Sequence, residues 1–229
     1  MAQNHPTVKV GFSVTNHYSD EIRPRGRELL SAYLESLEKS CNYPFEVFIV
    51  DNQSKDRLDE SKLPDHYHYY YVEDQSKGGL TYAWNLGIRK AYNRGCDIIF
   101  NTNEDLTFNE TINNFVDDIV NHKHSNVSLY GPMSDGVSTT HQRSYGIIPA
   151  EDNAMVEATN MPWDNRPYYS LNGFFYGFTR EMYDNFKYDD KNLFSTEKWC
   201  SWNGQEIEIH DRCIPKGMRN FIVRSCWVP

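Results

Sequence analysis

Short apolar segments alternate with amphipathic ones along the first 131 residues, and this order restricts the chain more than any other feature. Thr7 to Thr15 alternates and is rich in valine, and a polar loop, Asn16 to Pro24, follows it. Leu30, Tyr33, Leu34 and Leu37 recur at helical spacing, so Arg25 to Ser40 is expected to be a helix with one apolar face. Phe45 to Val50 is a continuous apolar run closed by Asp51-Asn52-Gln53-Ser54, the pattern of a buried parallel strand entering a turn. The cycle repeats. Tyr67 to Val72 reads as a strand and Leu80 to Asn93 as a helix whose apolar face is Leu80, Ala83, Trp84, Ile88 and Ala91. Asp97 to Phe100 is the next strand. Asn109 can cap a helix carrying Ile112, Phe115, Val116, Ile119 and Val120, with a strand expected at Val127 to Tyr130. Strand, helix, strand in repetition predicts an α/β fold with a mainly parallel central sheet flanked by helices on both faces. Ligands of such sheets bind beyond the carboxyl ends of the strands, where Asp51 and the Asn103 to Asp105 segment fall.

Beyond Pro132 the periodicity fades. Residues 132 to 168 are rich in Ser, Thr, Asn, Asp and Pro and read as long loops. Order is expected again at Ser170 to Phe178, in helices at Arg180 to Phe186 and around Gly204 to Cys213, and in a last strand at Phe221 to Val223. Nothing divides the composition, so residues 1–229 read as one domain with a ligand-binding half to about residue 131 and a second half from about 132. There is no apolar run long enough to span a membrane and no secretory signal pattern. The five scattered cysteines suggest neither a disulfide framework nor a CxxC zinc site, so a cytoplasmic setting is expected. With 32 acidic against 23 basic residues and a formal charge of -9, nucleic acid is not expected as a partner. An acidic chain would also repel a diphosphate unless a divalent cation stood between carboxylate and phosphate.

Four segments together resemble family 2 glycosyltransferases of the GT-A fold. Val47 to Ser54 resembles that family's apolar strand ending in Asp-Asn-x-Ser, in which the strand-end carboxylate, here Asp51 beside Asn52, contacts the nucleoside. The strand end is expected to be open to ligand and to carry little packing. Gly78-Gly79-Leu80 through Asn85-Leu86-Gly87-Ile88 resembles the family's glycine-led helix, where backbone NH groups can approach an anionic ligand. Ile98 to Phe108, with Asn103-Glu104-Asp105, resembles the acidic metal motif and puts Asp105 on the carboxylate that holds Mn²⁺ or Mg²⁺. Asn103 takes the position where the family carries Asp or Asn. Asn172 to Glu181 resembles a glycine-containing strand that leads into an Arg-Glu helix start. Gly204 to Arg212 resembles the Gly-Glu-Asp-x-Asp-Leu-x-x-Arg helix and places Glu206 on the catalytic base, although Gln205-Glu206 replaces the usual Glu-Asp.

The resemblance implies metal-dependent transfer of a sugar from a nucleoside diphosphate donor, most often a UDP-sugar, to an acceptor hydroxyl on a glycan. Thr15, Asp51, Asn52, Gly79, Asn85, Asn103 and Glu104 would line the nucleotide site. A direct in-line base would invert the anomeric centre. Glu208 lies about 200° round the helix from Glu206 and is expected to matter little; Asp211 is the reserve candidate for the base. The aromatic segment Trp163 to Tyr169, with Trp199 and Trp202, reads either as core and edge-strand filling or as flat faces for an acceptor sugar. Two other readings stay open. A sugar nucleotidyltransferase of the same fold would want a glycine-rich first loop, and Asn16 to Arg25 contains no glycine. A binding protein that has lost turnover would suit Asn103 and Gln205, but not the retention of Asp51, Asp105 and Glu206 together.

Overall fold

The computed structural model describes residues 8–73, 79–122, 126–135, 142, 155–158, 161–163, 166–168, 171–197 and 205–229. Residues 161–163, 166–168 and 206 are described by their backbone alone. Strands β1 (Val10–Asn16), β2 (Phe45–Asp51), β3 (Tyr67–Tyr71) and β4 (Ile98–Asn103) alternate with helices α1 (Gly26–Ser40) and α2 (Leu80–Asn93). Helix α3 (Thr111–Asn121) and strand β5 (Val127–Ser134) follow. Then come short strands β6 (Met155–Glu157), β7 (Met161–Trp163) and β8 (Arg166–Tyr168). Strand β9 (Phe175–Thr179), helices α4 (Arg180–Phe186) and α5 (Gln205–Cys213), and strand β10 (Arg219–Val228) complete the order. Among the described residues no helix is long and apolar enough to cross a membrane.

Eight strands form one sheet in the order β3-β2-β1-β4-β9-β5-β10-β6. Pairs β1/β2, β1/β4, β2/β3 and β5/β10 are parallel, while β9 runs against β4 and β5, and β6 runs against β10. The expected mainly parallel sheet is therefore present, with two reversed strands that periodicity could not reveal. The long-loop reading of 132 to 168 is overturned in part: β5 runs on to Ser134, β6 adds an edge to the sheet, and β7 pairs with β8 as a separate hairpin. Three-residue strands leave no periodic signal for a sequence window to detect.

The sheet's two faces carry different helices. Leu30, Tyr33 and Leu37 of α1 share one buried cluster with Ile112, Phe115, Val116 and Ile119 of α3. Trp84, Ile88 and Ala91 of α2 share the other with Tyr183 and Phe186 of α4 and Ile209 and Cys213 of α5. Helix α2 lies so close to β1 that a Cβ on Gly87 would sit 2.2 Å from Ser13 Oγ, which is why the Asn-x-Gly core of that helix needs its glycine. The Tyr67 to Tyr71 cluster is edge-strand filling: Tyr67 OH donates to Glu38 (2.7 Å), and the Arg57 guanidinium lies over the Tyr71 ring at 3.9 Å.

Candidate active site

From β1 the sheet grows both ways, to β2 and β3 on one side and to β4 on the other, so the switch point at which ligands of such sheets bind falls at the carboxyl ends of β1 and β4. The parallel register aligns Thr15 with Val50 and Asn103, and Asn16 with Asp51, which brings three of the expected residues, Thr15, Asp51 and Asn103, to one edge.

Asp51 is fully buried, contrary to the expectation of an open strand end. Its Oδ1 accepts from Ser54 N (2.7 Å), and its Oδ2 accepts from Tyr69 OH (2.7 Å) and Arg27 Nη2 (3.1 Å). Burial, and then the Asp51 carboxylate, push the Tyr69 phenol upward, so it stays a donor at neutral pH. Arg27 also donates to Asn16 Oδ1 (2.8 Å), tying α1 to the ends of β1 and β2. These bonds shape the turn, where Gln53 adopts φ 66°, a left-handed conformation uncommon for a residue with a side chain. Asp51 thus builds the site from below. The turn leaves Asn52 Oδ1 and Gln53 Nε2, together with Thr15 Oγ1, buried and without a hydrogen-bond partner. Unpaired buried polar atoms are rare because each costs about 1–3 kcal/mol, and three at one strand edge suit a polar ligand there. Gln53 was not legible as a site residue, since only the turn's backbone turns it inward.

Beside β1, β4 delivers Asn103-Glu104-Asp105. Asn103 N donates to Phe174 O (3.2 Å), securing the strand end against the chain that enters β9. Glu104 is buried and Asp105 is exposed, and one guanidinium bridges them: Arg23 Nη2 lies 2.9 Å from Glu104 Oε1 and 3.3 Å from Asp105 Oδ2. Desolvation raises the Glu104 carboxyl above its ordinary value despite the Arg23 charge beside it. Arg23 lies 82 positions from Asp105, so no sequence window could have paired them.

Gly79, at the start of α2, has φ 129°, a conformation that disfavours any side chain. Asn85 does not face a nucleotide: its Nδ2 donates to Phe194 O (3.0 Å) and its Oδ1 accepts from Phe194 N (2.9 Å), so the amide is spent on holding the segment before α5. Gln205 Nε2 donates to Thr81 Oγ1, joining α5 to α2. Glu208 is buried in an ion pair with Arg212 (2.5 Å), whose guanidinium also donates to Leu193 O (2.9 Å) and Phe186 O. The expectation that Glu208 would matter little is corrected, because this helix face is packed. Glu206 follows Gln205 in α5, its backbone described. Asp211 is exposed, and its Oδ1 accepts from His210 Nδ1 (3.0 Å) when that nitrogen carries the proton, while Trp199 and Trp202 lie outside the described residues.

The model of Glycosyl transferase family 2 matches residues 25–195. This chain belongs to glycosyl transferase family 2. The structure of this family 2 chain is similar to that of S. aureus TarS residues 1–349, with TM-score 0.55 and 16% identity, covering 96% of this chain and 59% of that one. The same TarS segment in complex with UDP gives TM-score 0.60 at 17% identity, again covering 96% and 59%. In complex with UDP-GlcNAc it gives 0.56 at 14%, covering 96% and 57%. At such identities the likeness establishes the GT-A fold, and this chain spans less than two thirds of those chains. No curated protein sequence matches it. Both Arg23 and α5 fall outside the family 2 match.

Among the described residues no group of three or more His, Cys, Asp or Glu side chains converges as a metal cage. One exposed carboxylate, Asp105, with Asn103 two residues before it, still fits a hard cation that takes its remaining ligands from phosphate and water.

The burial of Asp51 changes what its loss should do to this family 2 domain. Asp51→Ala leaves Tyr69 OH and Ser54 N without their acceptor, breaks the ion pair with Arg27, and is expected to destabilise the fold by about 2–4 kcal/mol. Urea denaturation reads this directly. An unchanged midpoint combined with weakened UDP binding would return Asp51 to the role of a plain ligand contact.

Proposed function

We propose that this chain transfers a sugar from a UDP-sugar donor to a hydroxyl of a glycan acceptor, with a divalent cation, and with inversion at the anomeric carbon. The observation that carries the reading is the exposed Asp105 carboxylate just past the end of β4, together with the unpaired Thr15, Asn52 and Gln53 polar atoms at the carboxyl ends of β1 and β2, in a family 2 fold. Thr15, Asn52 and Gln53 receive the nucleoside, and Asp51 holds the turn that presents them. The Gly79 backbone lets the donor approach α2 closely. Asn103 and Asp105 hold Mn²⁺ or Mg²⁺, which when bound supplies the positive charge that stabilises a leaving diphosphate. Glu206 removes the acceptor hydroxyl's proton. Attack from the face opposite the leaving group inverts the centre. Trp199, Trp202 and Asp211 form the acceptor side, and the setting is the cytoplasm.

The test is a donor screen with the protein, Mn²⁺ and a panel of nucleotide sugars, reading slow release of free nucleoside diphosphate. Release of UDP from one UDP-sugar is expected. Binding without release from any donor would instead favour a protein that has kept the site and lost turnover, a reading suggested by Gln205, whose amide is committed to Thr81 where the family has a carboxylate.

A further inference from the structure

Four basic side chains lie in or beside the loop that joins β1 to α1, and three are committed elsewhere. Arg25 pairs with Glu28 (2.9 Å), Arg27 with Asp51 (3.1 Å), and Lys55 with Asp20. Arg23 is the fourth, and it alone among them reaches Asp105. Its backbone is set by a short bridge in which Arg23 N donates to Ser19 O (3.1 Å), while Gly26 N donates to Arg23 O (3.0 Å). Its two contacts are unequal. Nε and Nη2 both reach Glu104 Oε1, at 3.0 and 2.9 Å, whereas Asp105 is met by Nη2 alone at 3.3 Å. Glu104 is buried, but the Arg23 and Asp105 side chains are 38% and 43% exposed, so the Asp105 end of the bridge is open to exchange. An ion pair this exposed is worth little and is replaced readily by a stronger cation.

We propose that Arg23 is the exchangeable counter-cation of Asp105: it occupies that carboxylate in the donor-free state, yields it to the divalent cation, and then turns its guanidinium to the donor's diphosphate. The proposal rests on the reading of Asp105 as the metal carboxylate. Guanidinium is suited to both partners, because its planar fork matches carboxylate and phosphate alike. Glu104 gives the arginine a fixed pivot about which the exposed end can swing, and Nη1 has no hydrogen-bond partner among the described residues. The arrangement keeps an acidic strand end neutralised before the donor arrives and leaves a positive charge to meet the anion afterwards.

The two halves of the proposal predict effects of opposite sign for one substitution. In Arg23→Gln, Mn²⁺ binding without nucleotide, read by electron paramagnetic resonance of free Mn²⁺, is expected to tighten by about 2- to 5-fold because a competitor is gone. UDP binding at saturating Mn²⁺, read by calorimetry, is expected to weaken by about 10- to 100-fold because a charge-assisted phosphate contact is lost. Arg23→Gln strands the buried Glu104 carboxylate and can cost folding. The double variant Arg23→Gln/Glu104→Gln removes the pair together and is expected to show the same two shifts. Unchanged or weaker Mn²⁺ binding in both variants, or unchanged UDP affinity at saturating Mn²⁺, would make Arg23 a structural anchor and overturn the proposal. Asp105→Asn is run beside them. If it keeps Mn²⁺-dependent UDP binding, the metal reading of Asp105 fails and Arg23 fails with it; if it loses that binding while the Arg23 variants change neither affinity, the Arg23 proposal falls alone.

Discussion

Sugar transfer is expected to fall by roughly 10²- to 10⁴-fold in Glu206→Gln, while Mn²⁺-dependent UDP binding persists. The glutamine keeps the shape and the hydrogen-bonding capacity of the side chain but cannot take a proton, so the loss belongs to the chemical step. Its neighbours in α5 provide the contrast. Glu208→Gln is expected to act on the fold, since it leaves the Arg212 guanidinium without its buried carboxylate and loosens its hold on Phe186 O and Leu193 O. Breaking one side of a buried pair costs about 3–5 kcal/mol, so this variant should melt earlier and lose donor binding and transfer together. Asp211→Asn changes an exposed side chain and should be mild. Transfer, UDP affinity and melting temperature measured on all three separate the roles. A fully active Glu206→Gln would remove Glu206 as the base, and a selective loss in Asp211→Asn would move the base along the helix.

The second large effect is expected at Asp105. Asp105→Asn should reduce UDP affinity in Mn²⁺ by about 10²-fold, down to the affinity measured without metal, because an amide keeps the size of the carboxylate but not the charge that holds a hard cation against the chain's net acidity. Thermal stability should change little, since this side chain is exposed and its contact with Arg23 is a surface ion pair. Calorimetry with and without Mn²⁺ checks both parts. Mn²⁺-dependent UDP binding retained in the variant would mean that the cation sits elsewhere or that the nucleotide binds without one.

The correspondence between pattern and structure follows the range of the interactions involved. Helix α2 spans Leu80–Asn93, the range its apolar spacing predicts, and β2 ends at the Asp51 that closes the apolar run. Such features are set by neighbours a few residues apart: one apolar stripe per helix, one buried run per strand, turn residues at the ends. The mainly parallel sheet followed from them, and so did the edge at which a ligand is expected. Asp51 and Asn85 were misread because their partners lie far along the chain. Asp51 looked like a free strand-end carboxylate because Tyr69 and Arg27, which consume it, lie 18 and 24 positions away. Asn85 looked like a ligand contact because Phe194, 109 positions on, is brought to it only when the segment before α5 folds over α2. Local apolar and turn patterns of the sequence determined the longer elements, their faces and the carboxyl edge of the sheet, but not the three-residue strands β6, β7 and β8. Which carboxylates on that edge are spent on the scaffold and which stay open, and the meeting of Arg23 with Asp105, were decided by tertiary structure, because hydrogen bonds and ion pairs depend on atomic distance across the sheet and leave no periodic trace along the chain.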